Sequence, residues 1–112
     1  MVRTATKNEL LPGTLDMLIL QTLTQGAMHG YGIAQHIQEI SDDVLQVEEG
    51  SLYPALQRLL VKGWAKAEWG TSENNRRARF YTLTSAGKKQ LGQEAENFNR
   101  MVLAISRVMQ PA

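Results

Sequence analysis

Glu49-Gly50-Ser51-Leu52-Tyr53-Pro54-Ala55-Leu56-Gln57-Arg58-Leu59-Leu60-Val61-Lys62-Gly63-Trp64-Ala65-Lys66-Ala67-Glu68-Trp69 is the stretch on which the fold turns. Up to Lys62, the leucines Leu52, Leu56, Leu59 and Leu60 recur at helical spacing, and Gly63 stands where helices commonly end. Pro54 is expected near the first turn of that helix, where its missing N–H does least harm. From Trp64 the period falls to two. Ala65, Ala67 and Trp69 alternate with Lys66 and Glu68, and a second run, Ala78-Arg79-Phe80-Tyr81-Thr82-Leu83, follows a polar connector from Gly70 to Arg77. A helix over residues 49–62 followed by a protruding β-hairpin is the prediction. The connector holds Gly, Ser and Asn, which tolerate turns, and no apolar side chain to anchor it.

Upstream, Leu11, Leu15, Leu18, Ile19, Thr22 and Leu23 form one helical face that starts near Pro12 and ends near Gly26. Residues 26–30 read as a short turn. Tyr31, Ile33, Ala34, Ile37 and Ile40 then mark a second helix, broken at Ser41-Asp42-Asp43. Downstream, Thr84 or Ser85 caps a long helix reaching about Gln110. The order ααα-ββ-α is a mainly α chain with a small β-hairpin, the arrangement of a winged helix-turn-helix. The expected organisation is a flexible segment over 1–10, the winged domain over 11–84 and a terminal helix over 85–110.

With 112 residues the chain has room for one domain. Its 43% apolar and 21% charged residues fit an ordinary globular protein. No apolar run approaches the roughly 18 residues of a membrane span, and residues 1–8 lack the apolar core of a secretory leader. The expected compartment is therefore the cytoplasm. Absence of cysteine excludes disulfides, thiolate nucleophiles and Cys-type zinc sites. Net charge is only +1, but its distribution is uneven. Eight basic residues (Arg58, Lys62, Lys66, Arg76, Arg77, Arg79, Lys88, Lys89) stand against two acidic ones (Glu68, Glu73) between positions 58 and 89, a local +6 that the rest of the chain offsets with −5.

In a winged helix the third helix enters the major groove and the hairpin lies beside it as the wing. Opposite the leucines, that helix presents Ser51, Pro54, Gln57, Arg58 and Val61, with Tyr53 on the flank and Lys62 at its end. Ser, Tyr, Gln and Arg donate to phosphates or base edges, and Gln57 or Arg58 would pair bidentately with adenine or guanine. An exposed helical face is also simply polar in many proteins, so this face alone decides nothing. The wing says more. Arg76, Arg77 and Arg79 sit together where their mutual repulsion stabilises nothing within the fold, and a phosphate backbone or a narrow minor groove would relieve it. The competing reading is a winged helix that acts only as a protein-interaction module, its basic wing meeting an acidic partner, without specific DNA binding.

On the last helix Leu91, Ala95, Phe98, Val102, Ile105 and Met109 are spaced by alternating fours and threes, a heptad seam. Met101, Leu103 and Val108 widen the stripe beyond one contact surface, which suits a homodimer and hence an inverted-repeat operator. The remaining candidates are weak. His29 and His36 do not complete a metal site, even with Glu39 beside the latter. No phosphate-binding glycine loop, nucleophile elbow or nucleophile–base pairing is present, so no enzyme, cofactor or metal is expected. Trp64 and Trp69 serve a hairpin chiefly by packing; Trp69 is retained as an effector contact.

With these segments in place the chain resembles the PadR family of transcriptional regulators from about Leu11 to Leu91. The residues that carry the resemblance are Leu11-Pro12-Gly13-Thr14-Leu15-Asp16, His29-Gly30-Tyr31-Gly32-Ile33, Gly50-Ser51-Leu52-Tyr53-Pro54-Ala55-Leu56, Glu73-Asn74-Asn75-Arg76-Arg77-Ala78-Arg79-Phe80-Tyr81 and Leu83-Thr84-Ser85-Ala86-Gly87. The resemblance implies a repressor whose winged domain binds DNA and whose terminal helix, with the first helix, builds the dimer. By position it puts Ser51, Tyr53 and Pro54 at the start of the recognition helix and Arg76, Arg77 and Arg79 in the wing. It also implies release of DNA by phenolic acids or other flat hydrophobic compounds near the dimer interface. A single helix after the hairpin matches the short subgroup of the family, which lacks a larger C-terminal domain.

Overall fold

The computed structural model describes residues 13–111. Along the chain run α1 (Thr14–Leu23), β1 (Met28–His29), α2 (Gly30–Ile40), α3 (Glu49–Val61), β2 (Ala65–Thr71), β3 (Arg77–Leu83) and α4 (Ser85–Met109). The winged helix-turn-helix order is the expected one, with one added strand. The expected flexible segment, and the parts played by Leu11 and Pro12 in the first helix, lie outside the described residues.

Three helices enclose the core. Leu15, Ile19, Leu20 and Leu23 of α1 meet Ile33 and Ile37 of α2 and Leu52, Ala55, Leu56 and Leu59 of α3. Ala65 and Tyr81 close it from the sheet. Leu60, expected inward, is only half-buried, because Leu52, Leu56 and Leu59 already fill the inner arc of α3. Tyr31 and Ile40, placed by periodicity on the inner face of α2, are exposed. Each lies at an end of an eleven-residue helix, beyond the span that α1 and α3 cover. Pro54 is the sixth residue of α3, one turn later than expected.

Residues 26–30 are not merely a turn. Met28 and His29 pair antiparallel with Tyr81 and Phe80, so the sheet has three strands in the order β1-β3-β2. His29 then starts α2: its Nδ1 accepts the Gly32 N–H at 3.0 Å, the position of an N-cap acceptor. Two residues carry no periodicity, and their partner lies fifty positions away, so the strand left no local mark.

The hairpin ladder is longer than expected, running from Ala65↔Leu83 to Thr71↔Arg77. The connector shrinks to Ser72–Arg76. Ser72 accepts from the Asn75 N–H at 2.9 Å and donates to the Arg76 carbonyl at 2.8 Å. Asn75 takes φ 59°, which Asn tolerates better than most side chains. A tight turn closed by a left-handed residue matches the right-handed twist of the strands.

At the base of the hairpin, Thr84 ties the sheet to α4. Its hydroxyl accepts the Gly87 N–H at 3.0 Å and donates to the Gly63 carbonyl at 2.7 Å. Gly87 is buried, and a Cβ there would lie 2.0 Å from the Trp64 carbonyl oxygen. Only glycine allows this approach. Beyond its contact with α1, helix α4 leaves the domain, and from Glu96 to Gln110 every residue is exposed.

Candidate nucleic-acid interface

Strand alternation sorts the wing. On one face of β2 and β3 lie Ala65, Ala67, Trp69 and Thr71 opposite Leu83, Tyr81, Arg79 and Arg77. The inner half of this face, Ala65 and Tyr81, is core, and the outer half projects past α3. The apolar pattern that buries one end therefore delivers Trp69, Arg79 and Arg77 to the other. There the Arg77 guanidinium carbon lies 4.7 Å from the Trp69 ring centre, and that of Arg79 lies 5.9 Å from it and 5.8 Å from the Tyr81 ring. Such cation–π contacts orient both side chains at an exposed site. Neither forms an ion pair with a described residue.

Between this surface and the starts of α2 and α3 lies a cleft of about 900 Å³. Of the expected residues it gathers Tyr53, Trp69, Arg76, Arg77 and Arg79. His29, Tyr31, Gln35 and Tyr81 join them, and the sequence reading did not assign these to the site. Tyr53 leans over the start of α2, where glycine at residue 30 leaves room for it: a Cβ there would lie 3.0 Å from the Tyr53 hydroxyl. The His29-Gly30-Tyr31 motif was the available signal, but its meaning depends on β1, which sets His29 and the start of α2 beside the wing.

Ser51, Pro54, Gln57 and Val61 are exposed, as expected for the outer side of α3. Arg58 is placed differently. On the flank of α3 away from Tyr53, it donates from Nη2 to Asp16 Oδ1 at 2.8 Å and from Nε to Oδ2 at 3.3 Å. The hydrogen bond it donates to Asp16 raises its pKa above the usual arginine value, against a smaller opposing effect of desolvation. Arg58 is therefore a cation balanced within the chain, and it does not add to the wing charge as the sequence count assumed. Lys62 lies 4.9 Å from the Trp64 ring and does not line the cleft.

Along α4, Leu91 and Ala95 are half-buried, while Phe98, Val102, Ile105 and Met109 are exposed together with Met101, Leu103 and Val108. His36 faces Gln25, with 3.4 Å between side-chain nitrogens. Among the described residues no group of three or more His, Cys, Asp or Glu could hold a metal ion. Among them, too, no helix is long and apolar enough to cross a membrane.

The architecture and the sequence find relatives. The profile of the transcriptional regulator PadR-like family matches residues 19–93, well over half the chain. A transcriptional regulator from Clostridium thermocellum is 30% identical with a TM-score of 0.80, the match covering 88% of this chain and 95% of that one. A PadR family regulator from Clostridium difficile is 27% identical with a TM-score of 0.75, over 88% of this chain and all of that one. Bacillus subtilis PadR, solved in complex with operator DNA, is 26% identical with a TM-score of 0.64 over 72% of this chain. The match spans only 47% of that longer protein. A family profile over most of the core, together with a shared fold, is kinship: this chain belongs to the PadR-like family of transcriptional regulators, whose members regulate and do not catalyse.

Proposed function

We propose that the chain is a cytoplasmic repressor that binds an inverted-repeat operator sequence-specifically as a homodimer. The observation that carries this reading is the cleft in which Arg76, Arg77 and Arg79 face Tyr53 beside the exposed side of α3. A duplex whose major groove takes α3 would run its backbone along the wing, so base edges meet Ser51, Pro54 and Gln57 while phosphates meet the arginines. Lys62 at the end of α3 and Lys66 on the opposite face of β2 lie outside the cleft and add positive charge only at longer range. Arg58 contributes indirectly, by fixing α3 to α1 through Asp16. The complex of Bacillus subtilis PadR with operator DNA supports DNA binding by kinship.

Dimerisation follows from α4. Its seam of Leu91, Ala95, Phe98, Val102, Ile105 and Met109 leaves large apolar side chains in water, and a second α4 would cover them. Two recognition helices related by a two-fold axis require half-sites roughly 34–36 Å apart. Release of DNA by a flat aromatic compound is proposed on family kinship alone. Trp69, whose ring lies beside Arg77, is the candidate contact for such a compound on the DNA side of the molecule.

Selection of duplexes from a random pool by the purified protein tests the reading, followed by gel shifts with and without aromatic acids. An enriched palindromic motif is the expected result. Retention of random sequences without enrichment would replace it with the protein-interaction reading, in which the basic wing meets an acidic partner.

A further inference from the structure

Tyr81 sits where the core ends and the cleft begins. It is only 4% exposed, on the central strand of the sheet, yet it lines the cleft. Its hydroxyl forms no hydrogen bond with any described residue, although no side-chain polar atom fully shut off from solvent is left unpartnered in the described fold. A phenol almost wholly desolvated, with its polar tip kept just open to a cleft, is costly without a partner. Two features show what that partner would be. The Arg79 guanidinium lies 5.8 Å from the Tyr81 ring and the Tyr53 hydroxyl is close enough for electrostatic coupling. Gly30 leaves room for Tyr53 there, since a Cβ would crowd its hydroxyl and ring at 3.0–3.2 Å. The group therefore offers two hydroxyl donors and one cation.

We propose that Tyr81, Tyr53 and Arg79 form a seat for one backbone phosphate of duplex DNA, the two phenols donating to its oxygens and Arg79 balancing its charge. The seat rests on the DNA-binding reading given above and names the contact that fixes the wing against α3. Burial holds the Tyr81 phenol above the usual tyrosine range, with Arg79 drawing it back and Tyr53 raising it further. The hydroxyl is thus protonated and available as a donor at neutral pH. A phosphodiester fits the donors in kind: two O–H groups and a guanidinium complement an anionic oxygen pair. The aromatic rings exclude water around it and strengthen each bond.

Tyr81→Phe in the full-length chain is the test, with a duplex taken from the random-pool selection and a random-sequence duplex as probes. Affinity for both should fall by about tenfold, the usual loss for one hydrogen bond to a charged group. The salt dependence should not change, because a neutral donor releases no counterion. Thermal stability should hold or rise, since the phenol has no hydrogen-bond partner among the described residues to lose. A single methylphosphonate placed at each backbone position in turn should find one phosphate per half-site whose neutralisation weakens Tyr81→Phe less than it weakens the wild type, the remainder being what Tyr53 and Arg79 still carry. Equal affinity of the two proteins overturns the seat. A clear drop in melting temperature also overturns it, by showing that the hydroxyl serves the fold. So does a methylphosphonate penalty that Tyr81→Phe shares in full. Failure of the wild type to bind either duplex would sink the underlying DNA-binding reading instead.

Discussion

Arg58→Ala and Arg77→Ala, compared in parallel, separate two kinds of cation that a count of charges merges. Asp16 takes two hydrogen bonds from Arg58, at 2.8 and 3.3 Å, so that guanidinium is already neutralised within the chain. Arg77 has no ion-pair partner among the described residues; its guanidinium lies 4.7 Å from the Trp69 ring and keeps its charge for an outside anion. In counterion release, each phosphate neutralised steepens log K against log salt by about 0.9. Arg77→Ala should therefore flatten that slope by about 0.9 per bound protomer. Over a rise from about 50 to 200 mM salt, its affinity should fall about 3.5-fold less per protomer than the wild type's. Arg58→Ala should leave the slope unchanged. Its cost belongs to the fold: half the Arg58 side chain is exposed, and exposed pairs stabilise by about 0.2–1 kcal/mol. For a domain of this size that is a melting shift of a few degrees, at about 4–8 °C per kcal/mol. Anisotropy of a labelled, selected duplex across that salt range gives the slopes, and thermal melting by circular dichroism gives the stability. A slope flattened in Arg58→Ala as much as in Arg77→Ala would refute the division, since Arg58 would then be leaving Asp16 for a phosphate.

Other outcomes follow from single contacts. Gly87→Ala sets a methyl 2.0 Å from the Trp64 carbonyl oxygen and 2.7 Å from Leu83 Cδ1, so melting should report a loss at or above the about 1–3 kcal/mol typical of overpacking. Thr84→Ala removes the cap of α4 and the bond to the Gly63 carbonyl, and should cost about 0.5–2 kcal/mol in denaturant unfolding. Phe98→Asp and Val102→Asp each put a charge into the proposed seam, and sedimentation should find monomers; an intact dimer would move the interface off α4. Because the Tyr81 pKa is raised in the fold, the native state holds that proton more tightly than the unfolded chain does. The resulting stability is complete below the unfolded value near 10 and is lost as pH rises through the folded value. Tyr81→Phe should remove this part of the alkaline decline in melting temperature.

The sequence discloses what repeats and conceals what is paired at a distance. Helical spacing in Leu52, Leu56 and Leu59, then alternation from Ala65, locates α3 and the hairpin because each pattern recurs within a few residues. Thr84 is legible as a cap, and Arg76, Arg77 and Arg79 as a cationic cluster, for the same local reason. The β1 strand is not, since Met28 and His29 become a strand only against Tyr81 and Phe80. With it went His29, Tyr31 and Tyr81, which line the cleft through that pairing. Arg58 shows the converse. Its charge is plain in the sequence, while the partner that balances it, Asp16, stands forty-two residues earlier, and no local pattern links the two.

Charge around Tyr53 also gives the proposed interface a direction. On the wing side its cleft is lined by Arg76, Arg77 and Arg79 against the single carboxylate of Glu73. On the other side, a second hollow of about 440 Å³ between α2 and α3 is lined by Glu39, Asp43 and Glu49, and it shares Tyr31, Gln35 and Tyr53 with the first. A phosphate strand approaching α3 therefore meets attraction on one side of Tyr53 and repulsion on the other, within about a Debye length. Glu49 also lies in the first turn of α3, where the helix dipole favours a carboxylate, so the same residue that steadies the recognition helix keeps the backbone off its far flank. Reversing that side, as with Glu39 and Asp43 replaced by lysine, should strengthen binding to every duplex while lowering the preference for the selected one. A molecule whose net charge is only +1 thus gains orientation from where its acids stand as much as from where its arginines do.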